Sequence, residues 1–395
     1  MRVVIAAVGW TGHAFPAISL ARALRGRGHG VWVETFERWR GVIEELGLGF
    51  LPARERIGFA SADAGGDAPG LAAAARELGP VLGDIGADAV VADMFTLAPA
   101  LAADVAGVPR ATLIPHPYPV REPGLPLYPL GLLPPRSAAG ALGWRVAWSA
   151  AGTRLPATRL GRVRAELDAV RADLGLPPLG GYDGQISERL ALVATFPQLE
   201  YPRHWPAHVH VTGPMPFELD HQPVELPAAG GPLVVVAAST ERDPDMRLIS
   251  TALEALAEEP VRVIASANRA GALVPEAPAN ARVHEWVSYS QVLPDAALVV
   301  CHGGHGTVAR ALAAGVPVLI VPPAGDMAEN GARVTWAGAG LMLPNRLLAP
   351  SSLRAVVRRL LGEDRFAGRA REIGAWAREN DGAAAGAALV EGLAP

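Results

Sequence analysis

The chain has 395 residues, half of them hydrophobic and 19% charged, a composition that suits two folded domains and argues against disorder. Net charge is −4 with no basic run, which speaks against a nucleic-acid backbone as partner; the 35 basic side chains are all Arg, which excludes Schiff-base and P-loop lysine chemistry. The single cysteine, Cys301, rules out an internal disulfide, and neither a membrane-spanning apolar run nor a signal-peptide core is present, so a cytoplasmic protein is expected.

In chain order, VVIAAV (Val3–Val8) reads as a buried parallel strand, GWTGH as a turn, Pro16 as first-turn helix punctuation, and VWVET as a second strand. A helix is predicted over Trp39–Leu46, stopped at Gly47. A strand follows within Ala87–Phe95, then a short helix in PALAADVAGVP and a strand in RATLIPH. Residues 115–145 are proline-rich and apolar, and read as a long irregular binding loop or surface loop. HWPAHVH (204–210) carries three histidines without an acidic companion and reads as a structural loop; no metal site is predicted.

The stretch from Val209 to Pro232 is rich in Pro and Gly, and strand–helix alternation restarts after it. The predicted organisation is an N-terminal domain at 1–212, a linker at 213–231, a second domain at 232–375, and a C-terminal helix at 376–395 able to pack back on the first domain. The fold class is α/β, with two Rossmann-like domains facing across a cleft.

The sharpest feature is LVVCHGGHGTVARALAAGVPVLIVP, where a strand runs through Gly303, Gly304 and Gly306 into a helix. Glycines let the backbone approach a ligand, and free N–H groups at a helix start favour an anion such as phosphate. Thr307 offers a hydroxyl and a cap, and His302 stands at the strand end, where α/β proteins place ligand groups.

Trp286-Val287, HGGHGT (302–307) and GDMAEN (325–330) together resemble the donor signature of family 1 glycosyltransferases, especially bacterial antibiotic enzymes of the two-Rossmann (GT-B) fold. The resemblance implies that Trp286 stacks on the base and Val287 meets its edge. His302, Gly303, Gly304, Gly306 and Thr307, with Ser239 and Thr240, would face the phosphates, and Thr11 would also belong to the donor site. Asp326 and Met327 would face the sugar. The family often has Gln where Met327 stands. A thioether bonds hydroxyls poorly, so a deoxysugar, carried on thymidine diphosphate, is expected. It further implies that His13 is the general base for an inverting, metal-independent transfer, with Asp93 as its carboxylate partner; imidazole titrates near working pH, and a carboxylate fixes its tautomer.

The acceptor would be a small apolar aglycone held by N-domain loops, with Phe59, Phe95, Tyr118, Tyr128 and Trp144 as candidate contacts. No cofactor beyond the sugar nucleotide, no nucleic acid and no membrane are called for; a homodimer is left open. Rival readings are a sugar-nucleotide epimerase of the same fold and a non-catalytic sugar-nucleotide-binding activator. A nicotinamide oxidoreductase is disfavoured, because Gly9 and Gly12 do not make G-x-G-x-x-G.

Overall fold

The computed structural model describes residues 1–53, 68–154, 159–179, 185–219, 223–227, 230–239, 246–268, 276–323 and 325–393. The first half contains β1 (Arg2–Ala6), α1 (Thr11–Gly26), β2 (Gly30–Thr35), α2 (Arg40–Glu45), β3 (Gly49–Pro52), α3 (Ala68–Ile85), β4 (Ala89–Asp93), α4 (Leu97–Ala106), β5 (Arg110–Ile114), α5 (Ala138–Arg154), α6 (Arg159–Asp173), β6 (Ala191–Val193) and β7 (Val209–Val211). These strands pair in parallel in the order β3-β2-β1-β4-β5-β6-β7. The apolar runs of β1 and β4 are buried because both sheet faces are covered. Val3 and Ile5 pack towards α1, while Val4 and Val90 pack towards α3, α4 and α6, as the two-residue period of a strand requires.

The second half contains β8 (Leu233–Ala237), α7 (Arg247–Leu256), β9 (Arg262–Ser266), β10 (Ala281–His284), α8 (Tyr289–Val292), β11 (Ala296–Cys301), α9 (His305–Ala313), β12 (Val318–Ile320), α10 (Asp326–Ala337), β13 (Gly340–Met342), α11 (Pro350–Gly362), α12 (Asp364–Glu379) and α13 (Gly382–Glu391). Its parallel sheet has the order β10-β9-β8-β11-β12-β13. Val234 and Val236 face α7 and α11; Val235 and Ala237 face α9 and α12. In each sheet the strand order reverses once, between β1 and β4 and between β8 and β11. Crevices open at such reversals, beyond the carboxyl ends of the strands.

Four local readings change. Helix α1 begins at Thr11, because the Trp10 carbonyl accepts from the N–H groups of His13 (2.9 Å) and Ala14 (2.8 Å). His13 is therefore in a first helical turn, and Pro16 lies inside the helix above exposed Gly12, whose carbonyl it cannot bond. The irregular stretch starting at 115 stops at 137, where α5 begins; α5 escapes a periodicity test because Leu142 and Val146 sit exposed on it. The end of HWPAHVH, with Val211 after it, extends the sheet as β7 (Val209–Val211), pairing with β6. Position 375 lies within α12, and the helix that returns to the first domain is α13, whose Ala383, Ala387 and Val390 join the core under α1. Asp381 starts α13 by accepting from the N–H groups of Ala383 (2.9 Å) and Ala384 (3.0 Å).

The halves touch along the cleft. Arg333 on α10 donates to Glu200 of the first half (2.7 Å) and to Glu329 (2.9 Å), all three buried, and Glu329 accepts from the N–H of Gly131 (3.3 Å). Gly131 has φ +65, and a Cβ there would strike the Ala328 backbone at 2.7 Å. The chain crosses between halves at 212–232 and again at 380–382. The crossings meet where Gly382 lies on Gly213, with Trp376 against the same glycine.

Candidate active site

The turn after β1 is pinned from outside. The indole N–H of Trp39 donates to the Gly9 carbonyl at 2.8 Å, and a Cβ at Gly9 would run into the Phe36 ring. This fixes the start of α1 and thereby aims His13 across to β4, the next strand over. His13 Nδ1 lies 2.7 Å from Asp93 Oδ2, with the Asp93 side chain wholly buried. Asp93 Oδ1 accepts from the Phe95 N–H at 2.9 Å, so both carboxylate oxygens are engaged. A carboxylate accepts, so Nδ1 carries the proton and Nε2 is left as the basic nitrogen. Burial pushes the His13 pKa down, but the charge and hydrogen bond of Asp93, helped by Asp326, outweigh it and hold the pKa above its ordinary value. Asp326, from the other half, is thus near enough to act on His13.

At the second reversal, His302 follows β11 and leans towards the end of β8, its Nδ1 3.4 Å from the Ala237 carbonyl. Gly303 has φ +93, and a Cβ there would meet Ile320 Cγ2 at 2.6 Å and the Met327 carbonyl at 2.9 Å; a Cβ at Gly304 would meet His302 Nε2 at 2.5 Å. Asn330 holds the turn, its Nδ2 donating to the Gly303 carbonyl at 2.8 Å. Helix α9 begins at His305 with Gly304 as N-cap, so Thr307 is the third helical residue and not the cap; Thr307 and Val308 already bond back to the Gly304 carbonyl. The amides of His305 and Gly306, ahead of those bonds, remain for a ligand. Asp326 opens α10 after Gly325, itself at φ +61, with Met327 next to it. Trp286 is 39% exposed and so is no core indole, while Val287 is buried. Ser239, just beyond β8, is buried at the same reversal; Thr240 lies outside the described residues.

Residues 250–382 match the family described as erythromycin biosynthesis protein CIII-like, C-terminal domain. Among curated relatives, the 4'-demethylrebeccamycin synthase of Lentzea aerocolonigenes is 30% identical, across 92% of this chain and 93% of its own length. The chain belongs to the natural-product glycosyltransferases. The aclacinomycin-T 2-deoxy-L-fucose transferase of Streptomyces galilaeus is 39% identical over 32% of this chain and 29% of its own. The fold agrees as well: the solved glycotransferase of kitacinnamycin superposes with a TM-score of 0.81 at 21% identity, covering 100% of this chain and 99% of that one. The architecture is GT-B.

Within this glycosyltransferase the acceptor candidates separate. Phe95 lies beside the dyad, its ring centre 5.1 Å from that of His13. Tyr128 reaches the site over His116, stacked at 5.8 Å and 21°. Tyr118 does not: it is buried with Met94, Ile114 and Val193, and Arg203 covers its ring at 4.5 Å, so it supports the loop from beneath. Trp144 is half-buried on α5, which Trp148 ties to the loop by donating to the Leu125 carbonyl at 3.0 Å. Phe59 lies outside the described residues.

The structure also adds residues that sequence reading missed. His116 follows β5 and stands edge-on to His13, ring centres 6.5 Å apart; the strand-end rule that found His13 points to it too. Asn330 and the Glu329–Arg333 pair sit in the GDMAENGAR segment, at spacings that put 329 and 333 on one helix face. Glu218, in the linker, accepts from the N–H groups of Tyr289 and Ser290 and thereby ties down the segment after Trp286; no local pattern announces it. Arg310 donates to the Phe217 carbonyl and stands over Tyr289, and so holds the linker.

Proposed function

We infer that the enzyme moves a deoxysugar from a nucleoside diphosphate, thymidine diphosphate in first place, to a hydroxyl of a small apolar aglycone, with inversion at the anomeric carbon. The observation that carries this is the His13–Asp93 contact at 2.7 Å, placed at the strand reversal with Asp326 of the other half within electrostatic reach. His13 Nε2 takes the acceptor proton as the acceptor oxygen bonds to the anomeric carbon. The bond from that carbon to the diphosphate oxygen breaks, and its electron pair leaves on the diphosphate. The α9 amides and His302 meet that charge, with no metal required of the site. Attack from the face opposite the leaving group inverts the centre in one displacement. Asp93 stabilises the imidazolium as it forms.

Met327 beside Asp326 supports a donor short of a hydroxyl, because a thioether is a weak hydrogen-bond acceptor and no donor. The deoxysugar named for the Streptomyces galilaeus relative supports the same class. Phe95 beside the base and Tyr128 stacked on neighbouring His116 support transfer to an acceptor over internal epimerisation. Among the described residues no helix is long and apolar enough to cross a membrane.

The test is nucleoside diphosphate release from thymidine and uridine diphosphate sugars with phenolic and macrocyclic alcohols. Release is expected only with an acceptor, and is expected to collapse in His13→Ala. Acceptor-independent release at the same rate in both proteins defeats the reading.

A further inference from the structure

His116 is 7% exposed, and its ring is held on three sides. Its Nδ1 lies 2.8 Å from the Pro117 carbonyl, and a carbonyl only accepts, so Nδ1 carries the proton and Nε2 carries a lone pair. Tyr128 stacks on the ring and brings its hydroxyl oxygen to 3.3 Å from the same Nδ1. Phe95 flanks it at 6.4 Å, and His13 meets it edge-on at 6.5 Å. Nε2 has no partner among the described residues, and is not among the polar atoms sealed from solvent without one.

The charge state is fixed along with the tautomer. Burial pushes the His116 pKa down, and the nearby His13 charge adds to this; the Pro117 carbonyl and the carboxylates Asp326 and Asp93 oppose them without reversing the direction. When His13 becomes an imidazolium in the transfer step, a second cation at this distance is disfavoured further. His116 is therefore a neutral, preset acceptor of hydrogen bonds beside the base. It is also well placed to act on what the base touches, since β1, β4 and β5 are neighbours and each delivers one of His13, Asp93 and His116 at its carboxyl end.

Given the transfer reading above, we propose that His116 selects the acceptor: Nε2 accepts a hydrogen bond from a second hydroxyl or N–H on the aglycone, adjacent to the hydroxyl that His13 deprotonates. The ring centres are 6.5 Å apart, and two hydrogen bonds of about 2.8 Å from vicinal oxygens would link the two rings when both Nε2 atoms face the acceptor. The substrate class is thus a vicinal diol, a catechol or a comparable pair of donors on an apolar frame. An ether or carbonyl in the second position leaves two acceptors facing one another and is rejected.

The experiment compares binding of 2,3-dihydroxynaphthalene and its monomethyl ether, 3-methoxy-2-naphthol, to the full-length protein in the presence of thymidine diphosphate. It uses wild type, His116→Phe and His116→Asn, each checked by thermal melting. The diol is expected to bind at least about fivefold more tightly than the ether in wild type, as for one buried hydrogen bond. The preference should vanish in His116→Phe and persist in part in His116→Asn, whose amide oxygen still accepts. Equal binding in wild type, no binding of the diol, or an unchanged preference in His116→Phe overturns the proposal. Transfer to single-hydroxyl acceptors with no diol preference sinks this proposal alone; a His116-dependent preference without any transfer sinks the transferase mechanism and leaves the binding site standing.

Discussion

Asp93→Asn keeps the shape of the side chain and removes the charge that sits 2.7 Å from His13 Nδ1. With that contact the two charge centres lie roughly 4–5 Å apart, and at an effective dielectric near 20 their attraction is about 3–4 kcal/mol. If the imidazolium is fully formed in the transition state, that loss lowers kcat by about 10²- to 10³-fold. The pH profile moves as well. In the native enzyme burial lowers the His13 pKa, and Asp93 with Asp326 raises it further than burial lowers it, so the folded pKa is above the ordinary value of 6.5. The protonated ring is thus favoured by the fold: this contribution to stability is complete below the unfolded pKa and is lost as pH rises through the folded one. The free base appears only above that folded pKa, so the acid limb of kcat lies above pH 6.5 in the wild type. In Asp93→Asn burial dominates, and the limb drops below the ordinary value. The assay is nucleoside diphosphate release at saturating donor and acceptor across a pH series. A rate loss under about tenfold, or a limb that does not move, refutes the dyad.

Three other outcomes follow from the structure. Arg333→Met leaves Glu200 and Glu329 buried without their cation and should cost about 3–5 kcal/mol, read as a lowered Tm; adding Glu200→Gln and Glu329→Gln should recover most of it. Gly303→Ala forces a Cβ against Ile320 and the Met327 carbonyl at positive φ, and should abolish stabilisation by thymidine diphosphate in a thermal-shift assay while the protein stays folded. Prolonged treatment with a chelator should leave turnover intact, measured against an untreated control.

The sequence conveys most strongly what is local. Val3–Ala6, Ala89–Asp93 and Ala296–Cys301 announce buried strands because a doubly covered strand is apolar throughout. The Gly303–Gly304 turn is legible because only glycine tolerates the two close approaches there. Helix α5 is hidden for the opposite reason: Leu142 and Val146 lie exposed, so it lacks the one-sided stripe that marks a surface helix. Tyr118 illustrates the limit for the site. Its residue type and its loop suited an acceptor contact, but Arg203 and Trp205, more than eighty positions on, cover it. The contacts to Glu218 and Glu200 are likewise between distant positions, which no single-sequence pattern records.

The two places where the chain passes between the halves are not independent. Gly382 rests on Gly213, and Trp376 closes over the same point, so both passages share one spot. Two tethers at one point act as a single pivot, leaving a swing about it and suppressing sliding of one half past the other. A swing that parts the halves would break the Arg333 contact to Glu200 and the Gly131 seat on Ala328 together. The loop that carries Tyr128 and the helix that begins with Asp326 therefore separate in the same movement. A sugar held at Asp326 and an acceptor held at Tyr128 would then be enclosed and released together, with the buried Arg333–Glu200 charge pair parting while the pivot stays intact.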